Sequence, residues 1–356
     1  MKNNYIPFMK FKVNEVGSIN RLNVGIKKSI TPFFDIPRRD QLTKEIFDTL
    51  VSSLGKKTEK YLADFPYFFV DTIDIPDNIY PSGMTPYATV CSEFGIFSFV
   101  PVVGIDRSST HNEAVFSSKQ NNLISSDLFA IRVRHEDFAN YAIVRDDFEE
   151  LVNRGLQLFK KCILIIDSGF CLTLDMDKIG SQAVKFIHSA RSFHNFSRII
   201  FTGSSIPASI GDVVSAKSEV ELERSELHAY EAIVKVFGEQ VELGDYTIVS
   251  PLYSDITLAP EILLNVTAPK IIYSFERMHL IFRGGALRTH PRGSAQYNDI
   301  ATKIINRSFY RGKDYSFGDE FLWEKAHGNG KTVTPSSILK PTINAHITFM
   351  TTSFCL

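Results

Sequence analysis

Leu128-Phe-Ala-Ile-Arg-Val-Arg134 and Cys162-Ile-Leu-Ile-Ile-Asp167 are short apolar runs with a helix-patterned segment between them. In that segment, Asp147 to Phe159, residues Phe148, Leu151, Val152 and Leu158 recur at three- and four-residue spacing. That stripe predicts an amphipathic helix. The runs on either side are apolar almost without a break, as strands buried on both faces are. A strand, a helix and a strand in this order predict two parallel strands joined by a crossover. Both runs close on charged residues: Arg132 and Arg134 in the first, Asp167 in the second.

The same unit recurs along the chain. Further strand-like runs are Ile6-Pro-Phe-Met-Lys-Phe-Lys12, Ile30-Thr-Pro-Phe-Phe-Asp-Ile36, Tyr67-Phe-Phe-Val-Asp-Thr-Ile73 and Phe97-Ser-Phe-Val-Pro-Val-Val-Gly-Ile105. Arg198-Ile-Ile-Phe-Thr-Gly203 and Val241-Glu-Leu-Gly-Asp-Tyr-Thr-Ile-Val249 complete the set. Helical patterns lie at Gln41 to Leu54, Ile179 to Ala190 and Glu219 to Phe237. Eight strands alternating with helices predict an α/β fold, a closed (β/α)8 TIM-like barrel over residues 1–255, close to the usual size of that fold. An open doubly wound sheet is the alternative. Its usual glycine-rich turn after the first strand is replaced here by Val13-Asn-Glu-Val-Gly17. No GxGxxG and no GxxxxGK[ST] occurs, so neither a dinucleotide fingerprint nor a P-loop is supported.

Beyond about residue 250 the pattern changes. Ile271-Ile-Tyr-Ser-Phe and Met278-His-Leu-Ile-Phe-Arg283 predict a hairpin around Glu276-Arg277. Helices are predicted at Gln296 to Phe309 and Asp319 to Ala326, and a strand at Ile343 to Phe354. No Pro- or Ser-rich linker intervenes. Residues 256–356 therefore read as a C-terminal α+β extension packed on the barrel.

Composition narrows the function classes. Of 356 residues 44% are hydrophobic and 22% charged, which excludes a disordered, collagen-like or coiled-coil chain. The net charge of −1 gives no global attraction to nucleic acid or an anionic membrane, so anion binding needs a local patch. The 29 Phe residues call for a large aromatic core. No signal-peptide pattern and no apolar stretch of about 18 residues is present, so neither secretion nor a transmembrane helix is expected. Cys91, Cys162, Cys171 and Cys355 form no CxxC pair. Free thiols in a cytoplasmic protein are the expected state, and the spacing does not suit zinc.

In a barrel of this kind the strand C-termini carry function. Strand alternation sends about half of their side chains inward. The inward candidates are Lys10 or Lys12, Asp35, Asp71, Arg132 and Asp167. In one reading Asp71 and Asp167, with Asp35, hold a hard cation such as Mg²⁺ while Lys12 and Arg132 face a phosphate. In the other the same charges are a mutually satisfied ion-pair network. The basic stretch from Arg283 to Arg292 is a further candidate for gripping phosphate. The histidines form no HExxH, and Gly203-Ser204-Ser205 is not a GxSxG elbow.

A set of short motifs in fixed order resembles the phage-type beta protein family. They include Pro32-Phe-Phe-Asp-Ile-Pro37, Phe99-Val-Pro-Val-Val103, Ile131-Arg-Val-Arg134, Ile165-Ile-Asp167, Glu223-Arg-Ser-Glu226, Gly244-Asp-Tyr246, Lys270-Ile-Ile-Tyr273, Phe282-Arg-Gly284 and Tyr315-Ser-Phe-Gly-Asp319. Leu227 stands where the family usually has Trp, and Ala345 precedes His346 where a His pair is common. The resemblance implies a protein of phages, prophages and bacterial islands, in a setting of phage–host conflict. It adds Arg224, Glu226, Asp245, Tyr246 and Arg283 to Lys10, Asp35 and Arg134 as ligand-binding candidates.

The functional expectation is a barrel mouth that binds an anionic ligand, a nucleotide or nucleic-acid phosphate. Asp71, Asp167, Arg132 and Lys12 are its catalytic candidates, for a metal-dependent phosphoester hydrolysis. The alternative is a non-catalytic scaffold in an antiviral-defence or toxin–antitoxin system, with a protein partner encoded nearby.

Overall fold

The computed structural model describes residues 4–39, 41–80, 85–253 and 267–355. The strands are β1 (Ile6–Lys10), β2 (Phe33–Asp35), β3 (Phe68–Asp71), β4 (Phe99–Val103), β5 (Leu128–Arg134), β6 (Lys161–Phe170), β7 (Phe196–Ser204), β8 (Ser218–Glu223), β9 (Val241–Asp245), β10 (Lys270–Phe275) and β11 (Met278–Arg283). Eight of them close a parallel barrel in the order β1-β2-β3-β4-β5-β6-β7-β9. The strand-helix reading of the sequence is thus the observed architecture. Helices begin where Thr43, Ser108, Asn140 and Asp175 accept a hydrogen bond from a first-turn amide, as N-caps do.

The two-residue period of the strands builds the barrel interior in layers. At the N-terminal end Arg198 bonds Glu242 at 2.7 Å, the Tyr67 hydroxyl at 2.6 Å and the Thr31 hydroxyl at 3.1 Å. Above it lies an apolar layer built on Phe8, Phe33 and Phe69. Phe33 stacks on both neighbours, with ring centroids at 4.2 and 5.4 Å. Two residues further along the same strands come Lys10, Asp35 and Asp71, and Arg132 and Asp167 follow Ala130 and Ile165 in the same way. One stripe of each strand therefore carries apolar residues in the middle and charge at the C-terminal mouth.

The extension departs from expectation in two places. The segment read as the start of a long helix at Glu219 is strand β8, and the helix is Glu226–Phe237. Ser218–Glu223 alternates: Val220 and Leu222 turn inward between exposed Glu219, Glu221 and Glu223. Leu222 happens to stand five residues before Leu227, which merged two elements into one apparent stripe. β8 leaves the barrel between β7 and β9 and pairs with β11, giving an antiparallel sheet ordered β10-β11-β8. The predicted hairpin is β10–β11.

The second departure is the tail, read as a strand and found as the helix Leu339–Thr352. Every residue from Pro341 to Met350 is buried. A helix buried on all sides shows no amphipathic period. Its threonines favour strands on propensity, but here Thr342, Thr348, Thr351 and Thr352 turn their hydroxyls back onto carbonyls of the preceding turn. The helices Gln296–Ile305 and Phe317–Ala326 lie close to their predicted places. The expected boundary at residues 255 and 256 lies outside the described residues.

Phe33 is fully buried between two rings. Phe33→Ala is expected to cost about 3–5 kcal/mol. Urea denaturation should show it as a lower midpoint with an unchanged slope.

Candidate functional site

The barrel mouth is organised around the Arg132 guanidinium, which is only 2% exposed. Its Nε and Nη2 donate to Asp167 Oδ2 at 2.9 and 2.6 Å. Nη1 donates to Asp35 Oδ1 at 2.8 Å and to Asp71 Oδ2 at 2.9 Å. Nη2 also donates to the Tyr246 hydroxyl at 2.6 Å, and that hydroxyl donates to Asp167 at 2.7 Å. Arg107 reaches Asp71 Oδ2 at 2.6 Å from the far side. Burial alone would raise the Asp71 and Asp167 carboxyls. The guanidiniums of Arg107 and Arg132 for Asp71, and of Arg132 and Arg134 for Asp167, overturn this and hold both below the usual carboxylate range.

Lys10 is the inward lysine of its strand. It bonds Asp74 at 2.6 Å and Asp35 at 3.4 Å. Burial disfavours its charge, but Asp35 and Asp74 outweigh it and the ammonium is held above its ordinary range. The Asp74 carboxyl is raised, by burial first and then by the Asp35 charge, despite Lys10. Above these groups lies a cavity of about 280 Å³, whose lining includes Lys10, Asp74, Arg134, Tyr246 and Tyr253. Tyr253 roofs it. Its ring lies under Lys10 (4.8 Å), Arg38 (5.0 Å) and Lys12 (6.0 Å), and its hydroxyl accepts from the Arg38 amide at 3.1 Å. Burial pushes that hydroxyl up to about 12.

Of the sequence candidates, Lys10, Asp35, Asp71, Arg132, Arg134, Asp167 and Tyr246 come together here. Lys12 does not join them: it is exposed and precedes the helix Val13–Asn20. The carboxylates expected to hold Mg²⁺ converge on a guanidinium instead. Among the described residues no three His, Cys, Asp or Glu side chains are grouped as a metal site. The residues present do not fit the cation, because Asp35, Asp71 and Asp167 already answer one buried positive charge.

Arg224, Glu226 and Asp245 form a second buried network, in the seam between barrel and extension. Arg224 donates to Asp245 Oδ2 at 2.6 Å and to Glu226 Oε1 at 3.2 Å. Asp245 Oδ1 also accepts from the Tyr5 hydroxyl at 2.5 Å. His346, from the last helix, places Nε2 at 3.1 Å from Asp245 and Nδ1 at 2.7 Å from the Ser274 hydroxyl. Ser274 also meets His279 at 2.9 Å. These three residues are therefore removed from the mouth. Arg283 is removed as well: it ends β11 and donates to the Val214 carbonyl at 3.0 Å.

Asp74 and Arg107 join the mouth although neither is among the inward candidates, because β3 ends before Asp74 and β4 before Arg107 and strand alternation does not reach them. Tyr253, Tyr5, Ser274 and His346 went unrecognised. A lone His in an apolar run carries no ligand spacing, and only the Asp245 side chain facing it identifies its role. Cys91, Cys162 and Cys171 are buried free thiols and Cys355 an exposed one. Burial pushes Cys91 and Cys171 up to about 12, which makes them poor nucleophiles.

Residues 5–352 match the family model described as Beta protein, and the chain belongs to that family. No curated protein and no solved structure matches it. No helix among the described residues is long and apolar enough to cross a membrane.

Arg132→Met would leave three buried carboxylates without their shared cation. The expected loss at neutral pH is about 3–5 kcal/mol. In the variant burial would push the Asp167 carboxyl up, with only Arg134 opposing it, so the deficit should shrink as pH falls toward 4 and that carboxyl protonates. Urea titrations of both proteins at several pH values check this.

His346 and His279 supply a second pH signature. Burial holds both below the ordinary imidazole value. For His346 the pull of Asp245 falls short of burial reinforced by Arg224 and Arg311; for His279, Arg224 and His346 add to burial against Asp245. Below about pH 6.5 the unfolded chain binds protons that the folded one refuses, so stability should fall as pH drops through that value. His346→Gln should flatten this slope in melting curves taken between neutral and mildly acidic pH.

Proposed function

We propose that the barrel mouth of this Beta protein family member binds a small phosphate-bearing ligand of the mononucleotide or sugar-phosphate class. The observation that carries the reading is Arg134. It sits half-buried in the lining of the cavity, and its side chain makes no hydrogen bond or ion pair among the described residues. A guanidinium with free donors at the mouth of a (β/α)8 barrel suits a phosphate or carboxylate, which it can take in bidentate fashion. Lys10 and Arg38 line the same space. Beneath them Asp35, Asp74 and Asp167 offer acceptor oxygens, the complement of ligand hydroxyls. At about 280 Å³ the cavity lies at the small end of ligand sites, which favours a single small molecule over a polymer strand.

Arg132 in this reading is a positioning residue. Its five donors are taken up by the floor, and it holds Asp167 and Tyr246 in place for the ligand. Binding is better supported than hydrolysis, since among the described residues each floor carboxylate is held by Arg132 or Lys10 and would have to leave it to recruit a metal or act as a base. The scaffold reading, a partner-binding protein in phage–host conflict, predicts that no small anion is recognised.

Calorimetry and thermal shift on the full chain separate the two. Inorganic phosphate, mononucleotides and short oligonucleotides should be titrated with and without Mg²⁺. A mononucleotide or phosphate should raise the melting temperature. Saturation at about one hundred times Kd corresponds to about 2.7 kcal/mol of stabilisation. Arg134→Gln should weaken that binding about tenfold or more, the loss of a charge-assisted contact, with only a small drop in the melting temperature of the free protein, because Arg132 still holds Asp167. Absence of heat and of any shift with all ligands would overturn the reading and favour the scaffold.

A further inference from the structure

A second cavity, of about 370 Å³, lies beside the mouth, between the barrel loops and the extension. Lys10, Leu252 and Tyr253 separate the two spaces and line both. Its walls are mostly apolar, built by Ile206 and Ile248 from barrel loops and by Ile272, Ile338 and Leu339 from the extension. Into this apolar space the fold brings two groups of opposite charge that have no ion-pair partner among the described residues.

The first is Glu15, in the opening turn of the helix Val13–Asn20. It is 3% exposed, and its Oε2 is buried with no hydrogen-bond partner. The second is Lys270, at the start of β10. Its side chain makes no hydrogen bond or ion pair among the described residues. Burial, with Arg283 nearby, lowers its ammonium below the ordinary range, and burial raises the Glu15 carboxyl against a hydrogen bond from its own backbone amide and the charge of Lys12. Unpaired charge in such surroundings is costly, and apolar residues of similar size would be better for stability. A fold keeps such groups where something else completes them.

We propose that this cleft is a binding site for a small apolar molecule that carries an anionic group and a hydrogen-bond donor. The anion meets Lys270, the donor meets Glu15 Oε2, and the apolar body fills the space between the isoleucines. Lys12, at the open edge, adds positive charge for the approach. The site takes its two walls from barrel and extension, so an occupant also ties them together. Its volume suits one small molecule.

Anilinonaphthalene sulfonate has this chemistry: fused rings, a sulfonate and an N–H. Titrated into the folded full chain at neutral pH, it should show saturable, one-to-one fluorescence enhancement. Decanoate should displace it and inorganic phosphate should not. Lys270→Met should weaken binding about tenfold or more, the loss of one charge-assisted contact. Glu15→Leu should also weaken it while raising the melting temperature, since an unpartnered buried carboxyl is removed. Arg134→Gln should leave dye binding unchanged, which separates this site from the mouth. Wild-type affinity in both Lys270→Met and Glu15→Leu would overturn the proposal, as would unsaturable binding by the wild-type protein. If Glu15→Leu fails to fold, Lys270→Met decides alone.

Discussion

The closed end of this barrel depends on one guanidinium. Arg132 is deep in the mouth, and three aspartates and a tyrosine from four other strand ends turn toward it. Without it those carboxylates would repel one another in a space with little water to screen them. With it they are fixed, and the order of their partners is fixed too: Arg107 and Lys10 flank the cluster on Asp71 and Asp35. The guanidinium also rests on the aromatic layer below, 5.0 Å from the Phe33 ring centroid and 5.7 Å from that of Phe8. The polar mouth and the apolar interior are thus held by the same side chain, through charge above and a cation–π contact beneath.

The end of β9 divides the molecule's polar chemistry. Asp245 and Tyr246 are consecutive and point opposite ways, as strand geometry requires. Tyr246 completes the Arg132 cluster. Asp245 faces outward to Arg224, Tyr5 and His346, and so anchors the last helix of the chain to the barrel. The extension is consequently no appendage. It contributes His346 and Ser274 to a network rooted in the barrel, and receives β8 from the connection between β7 and β9 in return. Both candidate cavities open near this junction, one inside the mouth and one along the extension.

Much of the fold was legible in the sequence because the barrel strands announce themselves locally. Phe33 and Asp35, Phe69 and Asp71, Ile165 and Asp167 each show apolar interior and charged mouth at two-residue spacing. What was illegible has physical reasons. Ser218–Glu223 is a strand only because β11 lies beside it, and its Leu222, so close before Leu227 of the next helix, blurs the period. The Leu339–Thr352 helix is buried on every side, so it lacks the polar face that marks a helix in sequence. Glu15 and Lys270 carry no local signal that sets them apart from other charges, and their isolation is a property of the walls that surround them.

The sequence by itself determined that the chain alternates strand and helix, with a closed barrel as the first expectation over an open sheet, and that a handful of acids and bases stand at strand ends. It did not determine how those charges are used. The partners of Arg132 lie 97, 61, 35 and 114 residues away along the chain, and Lys10 and Lys12 are equivalent until one of them turns inward. Only barrel closure decided that the aspartates face a guanidinium and not a metal ion, and that Asp245 and Arg224 belong to the seam. The reason is that a buried charge takes its meaning from its nearest opposite charge, and that neighbour is set by where the strands meet.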